Sequence, residues 1–338
     1  MLRKNGKMVG WLAVGLMPAL ATFAVQAASK AEVPLAERIK AAQTTAQSAS
    51  ACQAAQPFYW EVGDARGVQA SGQMGRDAPS AQTKMQIASA SKWIYGAYVA
   101  EHRGGSLTQD DIRFLNFESG YTDFRMCRQG QTVQECQSSL LNRRGKQDPT
   151  TVGRFYYSGG HMQQHAVLMG LGRLDNDGLA TAIKRELGPA GAAWDLSYSQ
   201  PQLAGGGQSN AADYGRFLRA MLAGDLKMGA LLGSHPVCAN PKACASEAIK
   251  TPIPMTETWH YSVGHWVEDD PRVGDGAFSS PGAFGFYPWI DANRQFYGIL
   301  AREEHKGILL GDVDSKPAVR SVDCGRLIRQ AWESGRAP

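Results

Sequence analysis

The chain has 338 residues, of which 20% are charged, and a formal net charge of +4. Residues 1–27 hold three positive and no negative charges, so the rest of the chain is close to neutral. This balance argues against nucleic acid or an anionic membrane surface as the partner. The remaining length, roughly 300 residues, suits one large domain or two interlocked subdomains.

The first 27 residues are predicted to be a secretory signal peptide. Basic residues precede an apolar run over 9–25, which ends in a small-residue cleavage site at 25–28. An uncleaved membrane anchor is the alternative, because the run approaches spanning length. Pro18 and the small residues near the end of the run favour cleavage. We therefore expect a periplasmic or secreted protein without stable membrane insertion after cleavage.

The six cysteines are expected to be oxidised in an exported chain. Six cysteines allow fifteen pairings. Their spacing favours two short staples, Cys127–Cys136 and Cys238–Cys244. This leaves Cys52 and Cys324, whose pairing would tie the first helix to the last. A zinc site is disfavoured, because the chain has no Cys-x-x-Cys pair.

The predicted elements come in three blocks along the chain. A helix over 34–54 is followed by a hairpin of strands at 58–63 and 68–74. Helices are predicted after residue 89 and over 161–174, 178–187 and 210–223. Strands follow at 259–267, 282–290 and 296–302, and a helix over 318–334 closes the chain. This order predicts an α+β fold with an inserted helical subdomain.

Ser89 and Lys92 stand three residues apart at the start of an apolar helix. Residues i and i+3 share one helix face, so the amine of Lys92 can reach the hydroxyl of Ser89. Free N–H groups and the helix dipole at the first turn favour a developing negative charge. A lysine can activate a serine only if burial lowers its pKa. The alternative is a serine N-cap beside a surface lysine, and the pair alone does not decide.

Further segments follow in a characteristic order: Phe-Tyr-Tyr-Ser-Gly at 155–159, Ala-Gly-Gly at 204–206, and Ser-Pro-Gly at 280–282. With Ser-x-x-Lys, these segments resemble the motifs of the serine β-lactamase and penicillin-binding-protein superfamily, over residues 57–335. The resemblance is strongest to class C β-lactamases, D,D-peptidases and family VIII esterases. It implies a β-lactamase-like fold, with an antiparallel sheet flanked by N- and C-terminal helices. A sheet subdomain is then expected at about 34–84 and 255–338, and a helical subdomain at about 85–254, within a domain covering 28–338.

The resemblance also implies roles for individual residues. Ser89 would be the nucleophile, Lys92 its activating partner, and Tyr157 the general acid/base with a phenol kept acidic by Lys92. The backbone amides of Ser89 and Ala283 would bind the oxyanion. Which of Lys92 and Tyr157 takes the first proton stays open, and without the motif Tyr157 could be a core aromatic.

The motifs depart from the family at two positions that concern the substrate. Gly159 replaces the usual Asn of the second motif, and Ser280 replaces the basic residue of the third. With Gly282 and Phe284, these residues are expected to face the substrate. A site without that cation and amide should hold a carboxylate-bearing peptide less well.

The resulting hypothesis is an exported serine hydrolase, an esterase or amidase, that cleaves a small ester or amide as a monomer. The alternatives are a D,D-peptidase or β-lactamase, and a module that only binds a cell-wall fragment. No cofactor or metal is expected. His161 and His165 have a spacing that can hold zinc but lack an evident third ligand. Arg302 could replace the missing cation, although a solvated strand-end arginine is the simpler interpretation.

Overall fold

The computed structural model describes residues 33–306 and 316–338, together with the isolated positions 2, 6, 7 and 10. Apart from those positions, the predicted signal segment lies outside the described residues. Within this described part, no helix is both long and apolar enough to cross a bilayer.

Helices and strands alternate through the described chain. The helices are α1 (Leu35–Ser48), α2 (Ser50–Ala55), α3 (Ser91–His102), α4 (Gln109–Leu115), α5 (Val133–Gln137), α6 (Gly160–Ala166), α7 (Asn176–Glu186), α8 (Pro189–Ala192), α9 (Ala211–Ala223), α10 (Met228–Leu231) and α11 (Pro317–Ser334). The strands are β1 (Phe58–Asp64), β2 (Gly67–Met74), β3 (Met85–Gln86), β4 (Phe155–Tyr156), β5 (Ser197–Tyr198), β6 (Gly207–Ser209), β7 (Val237–Cys238), β8 (Ala248–Lys250), β9 (His260–Ser262), β10 (His265–Glu268), β11 (Ala277–Ser279), β12 (Tyr287–Ile290) and β13 (Tyr297–Ala301).

The main sheet has eight strands within the described residues, in the order β2-β1-β13-β12-β11-β10-β9-β7. Neighbouring strands are antiparallel, and Trp60 of β1 pairs with Leu300 of β13. The chain-terminal helices α1 and α11 pack against each other and against this sheet. The α+β fold class predicted from the element order is confirmed. Strand β7, from within residues 85–254, also joins the sheet.

The three disulfides are the two short pairs that the spacing favoured and the pair between the two remaining cysteines. Cys52–Cys324 joins α2 to α11 with the Cα atoms 4.5 Å apart. Cys127–Cys136 closes a loop onto α5, and Cys238–Cys244 holds the segment after β7. The predicted pairing is therefore confirmed, and the terminal helices are covalently joined.

Several predicted boundaries are wrong for local reasons. The helix over 34–54 is broken at Ala49, whose backbone is extended. The helix after 160 changes to a π-helical turn over Val167–Leu171. The strand predicted over 282–290 is regular only in β12.

The strand predicted over 259–267 is in fact a hairpin. Val263 and Gly264 have φ values of 34° and 97°, as a tight two-residue turn requires. A Cβ atom on Gly264 would lie 2.9 Å from the carbonyl oxygen of Lys92. Glycine is needed there because the turn packs directly on α3, and this contact orders the helix that carries the lysine.

Candidate active site

The segment 88–92 places the serine and lysine of the first motif together. Ala88–Ala90 form a 3₁₀ turn that runs into α3. Ala88 has a φ of 44°, a conformation that costs a non-glycine residue about 1–3 kcal/mol and often occurs at functional sites. The amine of Lys92 lies 2.9 Å from the hydroxyl oxygen of Ser89. The one-turn spacing thus forms the contact expected from it.

Lys92 lies in the protein interior, where its side chain contacts few polar groups. Helix α3 is buried over residues 91–100, and Lys92 itself is 4% exposed. Its amine also donates to the carbonyl oxygen of Ala204 at 2.6 Å. Burial lowers the pKa of Lys92 from 10.5 to about 7, because the charged form loses its hydration. Lys92 can therefore be neutral at physiological pH and accept a proton from Ser89.

The carbonyl that receives the lysine is held by a residue that the sequence analysis missed. Gln163 on α6 is fully buried and donates to the carbonyl oxygen of Pro201 at 2.8 Å. Its side-chain oxygen accepts from the amide of Leu203 at 3.3 Å. The loop that precedes Ala204 is thereby fixed from both sides. A lone glutamine in a helix gives no sequence signal for this task.

Tyr157 faces Ser89 from the end of β4. Its backbone N–H donates to the carbonyl oxygen of Lys250 at 3.0 Å, and its ring stacks on Trp266 with centroids 5.5 Å apart. Burial raises the pKa of Tyr157 to about 12, and a hydrogen bond with Ser89 opposes part of this rise. The expectation that Lys92 keeps this phenol acidic is wrong, since burial dominates. The phenol stays protonated at neutral pH and can donate a proton.

The third motif packs against the backbone of Ser89 and of the segment before it. Ser280 is 2% exposed, and its hydroxyl donates to the carbonyl oxygen of Ser89 at 3.0 Å. A Cβ atom on Gly282 would lie 2.3 Å from the carbonyl oxygen of Ile87. Glycine there lets the two segments meet. Ala283 follows and borders the same cavity as Ser89, where an oxyanion donor is expected.

Three of the expected substrate contacts are placed differently. A Cβ atom on Gly159 would lie 3.0 Å from the ring of Phe124, so this aromatic ring occupies the space beside the second motif. Phe284 packs against His305 with centroids 4.5 Å apart and does not line the cavity beside Ser89. The hydroxyl of Ser280 is likewise engaged by the backbone of Ser89.

The two histidines with zinc-like spacing are both held by hydrogen bonds. His161 contacts Ser119 at 2.7 Å and the carbonyl oxygen of Tyr156 at 3.0 Å. His165 contacts the hydroxyl of Tyr95 and a carboxylate oxygen of Asp111, each at 3.0 Å. Within the described residues, no group of three or more His, Cys, Asp or Glu side chains is arranged so that it could hold a metal ion.

Arg302 is 3% exposed and ion-paired with Glu304. The interpretation as a solvated strand-end arginine is therefore wrong. Arg302 does not line the cavity beside Ser89.

A cavity of about 210 Å³ opens beside Ser89 and Tyr157. The described residues that line it come from four places: the catalytic motifs, the segment before β9, strand β10, and one face of α11. They are Ser89, Tyr157, Pro252, Ile253, Pro254, Glu257, Trp259, Trp266, Pro281, Ala283, Lys316, Ala318, Val319, Val322 and Asp323. Trp259 and Trp266 belong to the strand-rich part of the chain, and only the fold shows that both face this cavity.

No family model and no curated protein matches the chain. Solved structures do. A β-lactamase-like protein of Bacteroides dorei is similar over 82% of this chain and 95% of its own, with a TM-score of 0.57 and 19% identity. The D-amino acid amidase of Ochrobactrum anthropi covers 87% of this chain and 99% of its own, with a TM-score of 0.56 and 14% identity.

An octameric penicillin-binding protein homologue of Pyrococcus abyssi covers 90% of this chain and 78% of its own, with a TM-score of 0.57 and 13% identity. At these identities the likeness concerns the fold. The predicted resemblance is confirmed at that level: this chain has the fold of the serine β-lactamase and penicillin-binding-protein superfamily.

Proposed function

We propose that the chain is an exported serine hydrolase that cleaves a small ester or amide through an acyl-enzyme on Ser89. The observation that carries the proposal is the buried amine of Lys92, which lies 2.9 Å from the hydroxyl oxygen of Ser89. Ser89, Tyr157 and Ala283 border one cavity. Nucleophile, base, proton donor and oxyanion donors are thereby available to one substrate.

In the proposed reaction, neutral Lys92 takes the proton of Ser89 as the oxygen attacks the substrate carbonyl carbon. The negative charge on the carbonyl oxygen is stabilised by the N–H groups of Ser89 and Ala283. The bond to the leaving group then breaks, and Tyr157 gives that group a proton. Lys92 returns its proton to Tyr157. The low pKa of Lys92 and the high pKa of Tyr157 support this division of the two roles.

A water molecule then attacks the carbonyl carbon of the acyl group while Lys92 takes a proton from that water. The ester bond to Ser89 breaks, and the serine oxygen recovers that proton. The products are the carboxylic acid and the alcohol or amine. Export is supported by the predicted signal segment and the three disulfides, because such bonds persist in oxidising compartments.

The test is the intact mass of the mature protein after brief incubation with a p-nitrophenyl ester and, separately, with a penicillin. We expect an ester-derived adduct, or release of p-nitrophenol, in the wild type but not in Ser89→Ala. Ser138→Ala removes an exposed serine outside the cavity and should behave as the wild type. Release without an adduct supports the proposal if it is lost in Ser89→Ala, since deacylation is then the faster step.

The other outcomes overturn the proposal. A penicillin adduct that persists, without ester turnover, would favour the D,D-peptidase or β-lactamase alternative. If neither compound gives an adduct and the ester releases no p-nitrophenol, a module that only binds a cell-wall fragment would be favoured. Activity retained in Ser89→Ala would remove this serine from the mechanism.

A further inference from the structure

The cavity beside Ser89 is lined mainly by apolar side chains. They include Pro252, Ile253 and Pro254 from the segment before β9, and Val319 and Val322 of α11. Ile253 and Val322 are buried. Pockets that bind small molecules have this character, with few polar groups at the reacting end. The side chains therefore suit an apolar part of a substrate.

Three aromatic residues that line the cavity, Tyr157, Trp266 and Trp259, contact one another in series. The ring of Tyr157 stacks on Trp266 at 5.5 Å, and Trp266 meets Trp259 edge-to-face at 5.8 Å. Both tryptophans are almost fully buried in the sheet, which holds their rings in place. A ring carried by the substrate could pack along these rings, because aromatic pairs favour stacked and edge-to-face contacts at such distances.

The charged lining residues do not make the interior polar. The carboxylate of Glu257 accepts from the guanidinium of Arg326 at 2.9 Å and from the indole N–H of Trp259 at 2.8 Å. Asp323 is exposed, and Lys316 is partly exposed at the start of α11. These two opposite charges therefore lie toward the mouth of the cavity. A charged group placed deeper would lose its hydration without a dedicated partner.

We propose that this cavity binds an apolar, ring-sized group of the substrate, so that the enzyme prefers esters or amides that carry such a group. The inference rests on the proposed function and deepens it. The group can belong to the acyl part or to the leaving alcohol or amine, since both are bonded to the carbonyl carbon that Ser89 attacks. The chemistry recognised is the same in either position.

The test compares three esters that separate the two positions. Ethyl acetate carries no ring, ethyl phenylacetate carries one in the acyl part, and benzyl acetate carries one in the alcohol. We expect kcat/KM for at least one ring-bearing ester to exceed that for ethyl acetate by about tenfold or more, as apolar pockets achieve for small differences in size. The ester that is preferred identifies the position of the ring.

Variants then tie the preference to the cavity. Val319→Trp would fill the cavity from a partly exposed position on α11. The kcat/KM of the preferred ring-bearing ester, divided by that of ethyl acetate, should then fall about fivefold or more. Comparing this ratio between the variant and the wild type cancels the intrinsic reactivity of each ester. Val273→Trp makes the same change at a position that is 41% exposed and outside the cavity, and should leave the ratio unchanged.

Failure of this inference is separable from failure of the proposed function. Ser89-dependent hydrolysis of all three esters without a preference, or a preference that Val319→Trp does not alter, would overturn the inference and leave the hydrolase intact. If no ester is hydrolysed, the inference is tested by ligand binding. Saturation-transfer NMR should show binding of benzyl acetate or ethyl phenylacetate to Ser89→Ala, and this signal should be lost in Ser89→Ala/Val319→Trp. Absence of binding to Ser89→Ala would overturn the inference.

Discussion

The pH dependence of acylation is the sharpest consequence of the buried lysine. With a pKa lowered to about 7, Lys92 is about half neutral at neutral pH and neutral in about one molecule in a hundred at about pH 5. A lysine with the ordinary pKa of 10.5 would be neutral in only about one molecule in 3,000 at neutral pH. We therefore expect kcat/KM to rise about tenfold per pH unit and to level off near pH 7.

The assay is initial release of p-nitrophenol from p-nitrophenyl acetate between about pH 5 and about pH 10, with the rate of Ser89→Ala subtracted. Lys92→Arg keeps a positive charge throughout this range and should lower kcat/KM about 10²- to 10⁴-fold. Lys84→Arg changes a surface lysine that is ion-paired with Asp195 and should leave the profile unchanged. A rising limb centred near pH 10, or full activity in Lys92→Arg, would refute the role of Lys92 as the base.

Three further changes test the energetics of the site and the fold. The pKa of Lys92 is lower in the folded than in the unfolded state, so the unfolded state binds the extra proton between about pH 7 and 10.5 and stability rises with pH in that window. Keeping this amine buried costs about 4 kcal/mol at pH 7. Lys92→Met removes that cost together with two hydrogen bonds worth about 1 kcal/mol each, so it should stabilise the protein by about 2 kcal/mol in urea unfolding at pH 7. A loss of stability would contradict the account. Tyr157→Phe removes the proposed proton donor, so kcat/KM for an amide should fall about 10²- to 10⁴-fold. Hydrolysis of a p-nitrophenyl ester should fall less, because its leaving group needs little protonation. Equal losses for the two substrates would argue against the role proposed for Tyr157. Replacing Cys52 and Cys324 together by serine removes a disulfide between residues that are 272 positions apart in the sequence. This should lower the free energy of unfolding by about 5 kcal/mol. An unchanged urea unfolding curve would show that the disulfide does not constrain the unfolded chain.

Some parts of this protein were predictable because they depend on relations along the chain. The contact between Ser89 and Lys92 follows from helical spacing. The short disulfides follow from spacing along the chain, and the Cys52–Cys324 pair follows by elimination once they are assigned. The order of the predicted helices and strands indicated the α+β fold that the structure confirms. In each case few residues, close in sequence or fixed in order, were enough.

Other parts failed because their cause lies far along the chain. The hairpin at 263–264 reads as a continuous strand in sequence, and its positive φ values are stabilised by packing on α3. Phe124 lies beside Gly159 although no motif connects the two residues. The phenol of Tyr157 was expected to be acidic from its role in the family, whereas burial raises its pKa.

The residue types and the one-turn spacing of Ser89 and Lys92 are local properties, so they could be read from the sequence. Whether that lysine is buried or a surface cation could not. The answer comes from the fold, which buries α3 and directs the amine of Lys92 to the carbonyl of Ala204, 112 residues away. The fold also decided the shape and polarity of the cavity, since α11 and the segment before β9 meet only in the folded chain. The pKa of a buried group and the chemistry of a pocket depend on the sum of such long-range contacts, and no single segment contains that sum.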